Sequence, residues 1–373
     1  MSDPLQRPSA EEARERRLFE IRHEAEKKGR VEAIGIRPHG APFPVASPET
    51  GYYGVPLLKE PPWTWQIPPY FFLGGAAGSA AMIGLAARWV GGDARLARDC
   101  RYLAAAGAAG SAGLLIADLG RPMRFLNMLR IVKPQSPMSV GAWTLAVFGT
   151  FSVAAAFAET LNRSLNSVPI QMIGNVSETI SALAGLPFSN YTGVLIGASV
   201  IPLWNQNAAT LPIHFGMSGL NSAVSILELM GNENPALNTL GMGGSAVECL
   251  EGLNVELSKN PAMEPLRCGR SGWLTRIGGV LSGPVPLALR VAAAFVNQRR
   301  SCQLRRIAAA SSVAGSMLTR FAWVHAGHVS AQDWRTPLGI APTQGRAGQP
   351  KEMPIRCSDP TAEPPMRVEG VPL

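Results

Sequence analysis

Charged residues are scarce in this chain, and between Ile67 and Ala87 there are none at all. Asp, Glu, Lys and Arg make up 16% of the 373 residues, and many of them lie in the two terminal regions or near the ends of apolar runs. About 20 uncharged, mostly apolar residues suffice for a helix to cross the ~30 Å hydrocarbon core of a bilayer. The missing charge therefore predicts a membrane span.

The cysteines contain no CxxC pair, which argues against iron–sulfur or zinc ligation within this chain. His214 is the only histidine in the interior of the predicted bundle, with His325 and His328 at the end of the last span, whereas haem b needs two axial histidines on facing helices. We therefore expect no metal site and no permanently bound cofactor. The basic residues lie at helix ends and in the tails without interleaved aromatic residues, so nucleic-acid binding is not expected either.

Uncharged runs predict an all-α fold: a polytopic membrane helix bundle of about eight transmembrane helices with extended soluble tails. A moderately polar segment, 161–189, is expected to hold only a short interfacial helix near Val176–Ala184. The sequence WNQNAAT at 204–210 should separate the fourth span from the fifth. The expected spans are about 67–90, 100–118, 137–158, two between 179 and 227, 235–256, 272–298 and 303–326.

The predicted spans divide the chain into three parts. Residues 1–62 are predicted to be a soluble N-terminal arm, charged over 10–32 and rich in Pro and Gly over 37–62. Residues 63–330 form the transmembrane bundle. Residues 331–373 are expected to be an irregular, Pro-rich tail. The arm has too few apolar residues for a core of its own, so we expect it to become ordered against a partner.

Five segments resemble the NrfD/polysulfide-reductase family of membrane subunits. They are WTWQIPPYFFLGG, DLGRPMRFLNMLR, KPQSPMSVGAW, YTGVLIGASVIPLW and, more loosely, RFAWVHAG. The resemblance covers about residues 63–330, and DLGRPMRFLNM is its most specific part. It implies a bundle without a permanent cofactor that exchanges quinone or quinol, menaquinone or ubiquinone, with the membrane. It also implies docking on an iron–sulfur electron-transfer subunit, and through it on a catalytic subunit such as a molybdopterin enzyme.

The charged cluster Asp118, Arg121 and Arg124 closes the second apolar run. Charges at the membrane edge are costly, so they often mark function. An acid beside arginine in a poorly hydrated site can accept a quinol proton, and Asp118 is the predicted acceptor. The alternative is an ion pair that anchors a loop, with arginine reaching to the lipid headgroups.

Trp65, Gln66 and Tyr70 lie at the start of the first span, and Tyr191, in YTG, is expected to open the fourth span. An aromatic belt at the membrane interface would explain the aromatic residues without any function. By the resemblance, Gln66, Tyr70 and Tyr191 are expected to hydrogen-bond a quinone, and Trp65 to flank its ring. Some relatives carry a histidine near the position of Gln66, and this chain does not.

The functional prediction is a membrane subunit of a respiratory oxidoreductase in the cell inner (cytoplasmic) membrane. It would exchange electrons and protons between the quinone pool and an iron–sulfur partner. Two alternatives remain at this stage: a membrane anchor without a working quinone site, and a small-solute or ion transporter. A transporter should show paired halves or broken helices in matched positions, and no repeat is visible in the sequence.

Overall fold

A computed structural model describes residues 58–119 and 124–333, together with Glu20, His23 and Pro337. Within these residues the structure is helical and contains no strand. The chain divides into two units, Met1–Val55 and Pro56–Leu373, and the bundle belongs to the second. Nearly all of the predicted N-terminal arm and C-terminal tail lies outside the described residues, so their predictions stay untested.

Nine helices of ten or more residues occur in the described part of the chain. They are α1 Ile67–Ala86, α2 Ala94–Asp118, α3 Pro137–Leu165, α4 Val168–Gly197, α5 Leu211–Leu229, α6 Pro235–Leu257, α7 Gly269–Ser282, α8 Pro284–Ala293 and α9 Gln298–Gln332. A π-helical turn, Ala87–Gly91, extends α1, and short helical turns connect several of the others. The all-α bundle predicted from the sequence is thus confirmed.

Three segments of the described chain are long and apolar enough to cross a membrane: Ile67–Val90, Ala94–Asp118 and Pro137–Leu165. The later helices carry more buried polar residues, which lower their mean hydropathy. Asn221 and Glu228 on α5 and Glu248 on α6 are examples, each nearly inaccessible to solvent.

Helix α1 occupies the centre of the bundle, packed against α2, α4, α5 and α9. Its sequence GGAAGSAA allows this close packing, since small residues let helix backbones approach one another. At Gly78 a Cβ atom would lie 2.5 Å from the carbonyl oxygen of Gly185 on α4. Any larger residue there would push the two helices apart.

The predicted interfacial helix near Val176–Ala184 is wrong. Helix α4 runs without interruption through this segment and passes Pro187 to end at Gly197. The segment looked too polar for the bundle interior because it contains Glu178. Arginines from α2 and the end of α1 neutralise that carboxylate, so the segment packs against α3 and α1.

The predicted seventh span, 272–298, is two helices, α7 and α8, separated at Gly283. Pro284 has no N–H to continue the hydrogen-bond ladder. Side chains donate some of the hydrogen bonds that the backbone carbonyls lose at this break. Asn221 donates to the carbonyl of Ser282 at 3.2 Å, and Ser311 donates to the carbonyl of Leu281 at 2.8 Å.

Candidate functional site

The start of α1 and the end of α2 meet through Asp118. Thr64 donates to Asp118 Oδ1 from its hydroxyl at 2.7 Å and from its backbone N–H at 3.3 Å. The same hydroxyl also contacts the side-chain oxygen of Gln66. We call these three residues the mouth of the bundle. The structure therefore brings together two predicted site residues, Asp118 and Gln66, through a threonine that the sequence reading did not single out.

Two arginines, Arg121 and Arg124, were predicted beside Asp118. Arg121 lies outside the described residues. Arg124 begins a short helix, Arg124–Met128, but its side chain is not described. Their predicted part in the site stays a prediction.

The aromatic residues at the start of α1 have contrasting environments. Trp65 is two-thirds exposed, at 66%, whereas Tyr70 is buried in the main apolar core. Tyr191 is buried as well, at 7% exposed. Trp65 is thus available to a partner or to lipid, and the two tyrosines face the protein interior.

Tyr191 lies in the last two turns of α4 and does not open that helix, contrary to the prediction. Its ring packs against the backbone of Gly141 in the first turns of α3. A Cβ atom at Gly141 would lie 1.8 Å from Tyr191 Cζ and 2.1 Å from its hydroxyl oxygen. Two of the motif segments, KPQSPMSVGAW and YTGVLIG, are therefore in direct contact, and glycine at position 141 is needed for that contact.

An aromatic cluster lies near the mouth. Trp63 stacks on Trp204, with ring centroids 5.1 Å apart, and Trp204 donates from its indole N–H to the backbone carbonyl of Trp323 at 3.0 Å. Phe71 and Phe215 extend the cluster into the core. Through this stacking, Trp63 fixes the entry of the chain into α1.

Arg320 and His214 lie beside this cluster on α9 and α5. Arg320 is almost completely buried, donates to the carbonyl of Phe215 at 2.9 Å, and places its guanidinium carbon 3.8 Å from the Phe215 ring centroid. Its Nε and Nη1 atoms, and both ring nitrogens of His214, have no hydrogen-bond partner among the described residues. Such groups are costly in a core and are a common feature of functional sites in membranes.

At the opposite end of the bundle, Glu178 on α4 lies between two arginines. Arg88 approaches it at 3.1 Å and Arg101 at 2.8 Å. Arg101 also binds Glu159 at 2.7 Å and Asn175 at 3.0 Å, which joins α2, α3 and α4. The sequence shows these charges only as separate interruptions of apolar runs.

Glu228 on α5 has a similar arrangement. Arg290 and Arg305 each reach it at 2.7 Å, and Arg290 also donates to Ser225 at 3.2 Å. Both glutamates are almost inaccessible to solvent. Buried charges paired in this way fix the mutual positions of the helices that carry them.

The loop between α1 and α2 carries an ordinary helix cap. Asp93 accepts a hydrogen bond from the backbone N–H of Leu96 at 3.0 Å and another from Asn234 at 3.2 Å. The bond from Leu96 is the main reason why the pKa of the Asp93 carboxyl is lowered from its usual value, and the Asn234 bond adds to it. This residue stabilises the start of α2 and has no apparent link to the mouth.

Metal ligation finds no support in the described part of the chain. Across residues 58–119 and 124–333, no group of three or more His, Cys, Asp or Glu side chains is placed to hold a metal ion. The mouth itself offers a carboxylate, a hydroxyl and an amide, which suit hydrogen bonding to an organic ligand.

Comparison with known proteins gives one match. Residues 57–232 match the model of a family described as polysulphide reductase, NrfD, while a comparison with curated proteins finds no match. The matched region contains the mouth, Tyr70, Tyr191 and helices α1 to α5, whereas RFAWVHAG lies beyond it. Members of this family are multi-pass membrane subunits of oxidoreductase complexes. Residues 57–232 thus form an NrfD-type membrane segment, as the motifs in the sequence predict.

Proposed function

We propose that the mouth exchanges quinone or quinol with the membrane and passes its electrons to an iron–sulfur partner subunit. The observation that carries this proposal is the contact of Asp118 with Thr64 and Gln66. It concentrates a carboxylate, a hydroxyl and an amide at one end of the bundle, where α1 begins and α2 ends. A quinol needs these groups, because two hydroxyl protons must leave as its electrons leave.

The proposed roles follow from the environment of each residue. Asp118 accepts a proton, since it is an acid at the end of α2 whose bonds from Thr64 hold it at the mouth. Gln66, Tyr70 and Tyr191 position the ring by hydrogen bonds to its oxygen atoms. Arg121 and Arg124 would favour the ionised form of Asp118. The quinone supplies the redox chemistry, and this chain supplies binding and electrostatics.

The partner subunit would dock at the mouth. Trp65 is largely exposed there, and exposed tryptophan is favoured at protein interfaces and at membrane surfaces alike. The arm 1–62 leads directly to the mouth and would add to the contact. The partner would connect to a catalytic subunit such as a molybdopterin enzyme, and the complex would lie in the inner (cytoplasmic) membrane.

Anaerobic reduction of the purified complex tests this proposal. A short-chain quinol, either decylubiquinol or a menaquinol analogue, is added and the partner's iron–sulfur clusters are followed by electron paramagnetic resonance. We expect cluster reduction or, for a complex that works in the reverse direction, reoxidation of prereduced clusters by the quinone. A complex of normal composition that exchanges electrons with neither form would leave this chain as a membrane anchor.

A further inference from the structure

A cavity of about 440 Å³ lies between α6 and α7, in the part of the chain beyond the family match. Its lining is mainly apolar and includes Gly252, Leu253, Gly279, Val280 and Pro284. Leu253 and Val280 are about half exposed, so the cavity opens on the outside of the bundle. The Glu256–Arg276 ion pair also lines the cavity, and a ligand dissolved in the membrane would enter through this opening.

One wall of the cavity is formed by a buried carboxyl group. Glu248 lines the cavity and is only 3% exposed. Its Oε2 atom accepts a hydrogen bond from Ser282 at 3.2 Å, while its Oε1 atom has no partner among the described residues. A buried carboxyl oxygen without a donor costs free energy, so the site favours a ligand that supplies one.

The chemistry of the cavity selects among membrane-soluble ligands. A lipid acyl chain fills apolar volume but has no hydrogen-bond donor for Glu248. A quinol has a flat apolar ring, an isoprenoid tail that remains in the bilayer, and ring hydroxyls that donate. The cavity volume lies within the range of small-molecule sites.

We propose that this cavity is a second quinol site, in which Glu248 accepts a hydrogen bond from a ring hydroxyl. This second-site proposal rests on the proposed function only because it takes quinol as the membrane-soluble substrate of the complex. It differs from the mouth, because the cavity is built from α6 and α7 and the mouth from the ends of α1 and α2. No redox step is assigned to the cavity; it binds and stores the reduced carrier.

Two glycines make the cavity easy to close by substitution. A Cβ atom at Gly252 or Gly279 would have no atom within 4 Å. A leucine at Gly252 therefore fills the cavity without a clash at its first carbon. Gly243, on the same helix, has equally open surroundings but does not line the cavity, so Gly243→Leu is a matched control.

A native cysteine reports on occupancy. Cys249 lines the cavity, is partly exposed and carries a free thiol. The intact complex is treated with N-ethylmaleimide with and without decylubiquinol, and alkylation at Cys249 is followed by peptide mass spectrometry. We expect decylubiquinol to slow Cys249 alkylation about fivefold or more. Cys302, a free thiol away from this cavity, should react at an unchanged rate.

Two variants and one further probe separate the possible occupants. Glu248→Gln, which replaces the carboxyl by an amide of the same size, should weaken protection about five- to tenfold, the scale of one ordinary hydrogen bond. Gly252→Leu should abolish protection, whereas Gly243→Leu should retain it. Decylubiquinol with both hydroxyls methylated has the same apolar bulk but no donor, and should protect poorly.

Equal protection by the methylated compound, or unchanged protection in Glu248→Gln, would overturn the proposal in favour of a lipid chain. No protection by decylubiquinol in the native complex would overturn it outright. The mouth is tested separately, since Asp118→Asn should leave protection of Cys249 intact. Protection of Cys249 in a native complex that exchanges no electrons with quinol would refute the mouth and keep the cavity.

Discussion

Replacing Arg101 by methionine tests how much the buried ion cluster stabilises the bundle. The Arg101 side chain is 10% exposed and binds Glu159, Asn175 and Glu178 at 2.7 to 3.0 Å. Its loss leaves Glu178 with Arg88 alone and leaves Glu159 without an arginine partner among the described residues. Removing one partner of a buried ion pair typically costs about 3–5 kcal/mol, because the remaining charge stays buried and unpaired. We expect a loss of this size in the free energy of unfolding.

The assay is unfolding of the purified protein in mixed micelles by increasing dodecyl sulfate, followed by tryptophan fluorescence. Arg95→Met is the control, since Arg95 is 60% exposed and 3.9 Å from its partner, Asp99. An exposed pair contributes about 0–1 kcal/mol. Adding Glu159→Gln to Arg101→Met should restore part of the loss by removing one unpaired charge. Equal losses for Arg101→Met and Arg95→Met would refute the buried-cluster argument.

Three further predictions concern single contacts. Asp93→Ala should lower the free energy of unfolding by about 1 kcal/mol and Asp93→Asn by less, as for other helix caps. Because the pKa of Asp93 is lowered in the folded protein, the stability that its carboxylate contributes should be complete above the usual carboxyl range and vanish as the pH falls through the lowered value. Unfolding measured as a function of pH tests this. Gly141→Ala should displace Tyr191 and reduce quinol turnover at normal abundance, whereas Gly149→Ala on the same helix, whose nearest contact is an ordinary 3.9 Å, should not. Trp204→Phe should lower the free energy of unfolding by about 1–3 kcal/mol, since a buried carbonyl on α9 loses its donor; an unchanged unfolding midpoint would contradict this.

The sequence predicted the first three helices well because each contains a long uncharged run. It failed for α4, since a count of charged residues treats Glu178 as exposed and cannot see the arginines that neutralise it. It also joined α7 to α8, because an uncharged run says nothing about a break at Gly283.

The site was predicted from motifs and not from periodicity. Asp118 and Gln66 were expected at one entrance, and the structure brings them together. Thr64 was not identified, because its contact with Asp118 joins residues 54 positions apart. The contact of Tyr191 with Gly141 was missed for the same reason, although both residues stood in recognised motifs. Long-range contacts of this kind depend on how the helices pack, which no local pattern reveals.

The most direct test of the proposed function is quinol-dependent electron transfer by the intact complex carrying Asp118→Asn. The substitution keeps the size of the side chain and its bonds from Thr64, but removes the ionisable group. If Asp118 accepts the quinol proton, turnover should fall about 10²-fold or more at normal abundance, the usual scale for a general base. Thr64→Val, which removes only the 2.7 Å hydroxyl bond, should cause a smaller loss. Near-normal turnover of Asp118→Asn would contradict the account and leave Asp118 as an anchor of the loop after α2.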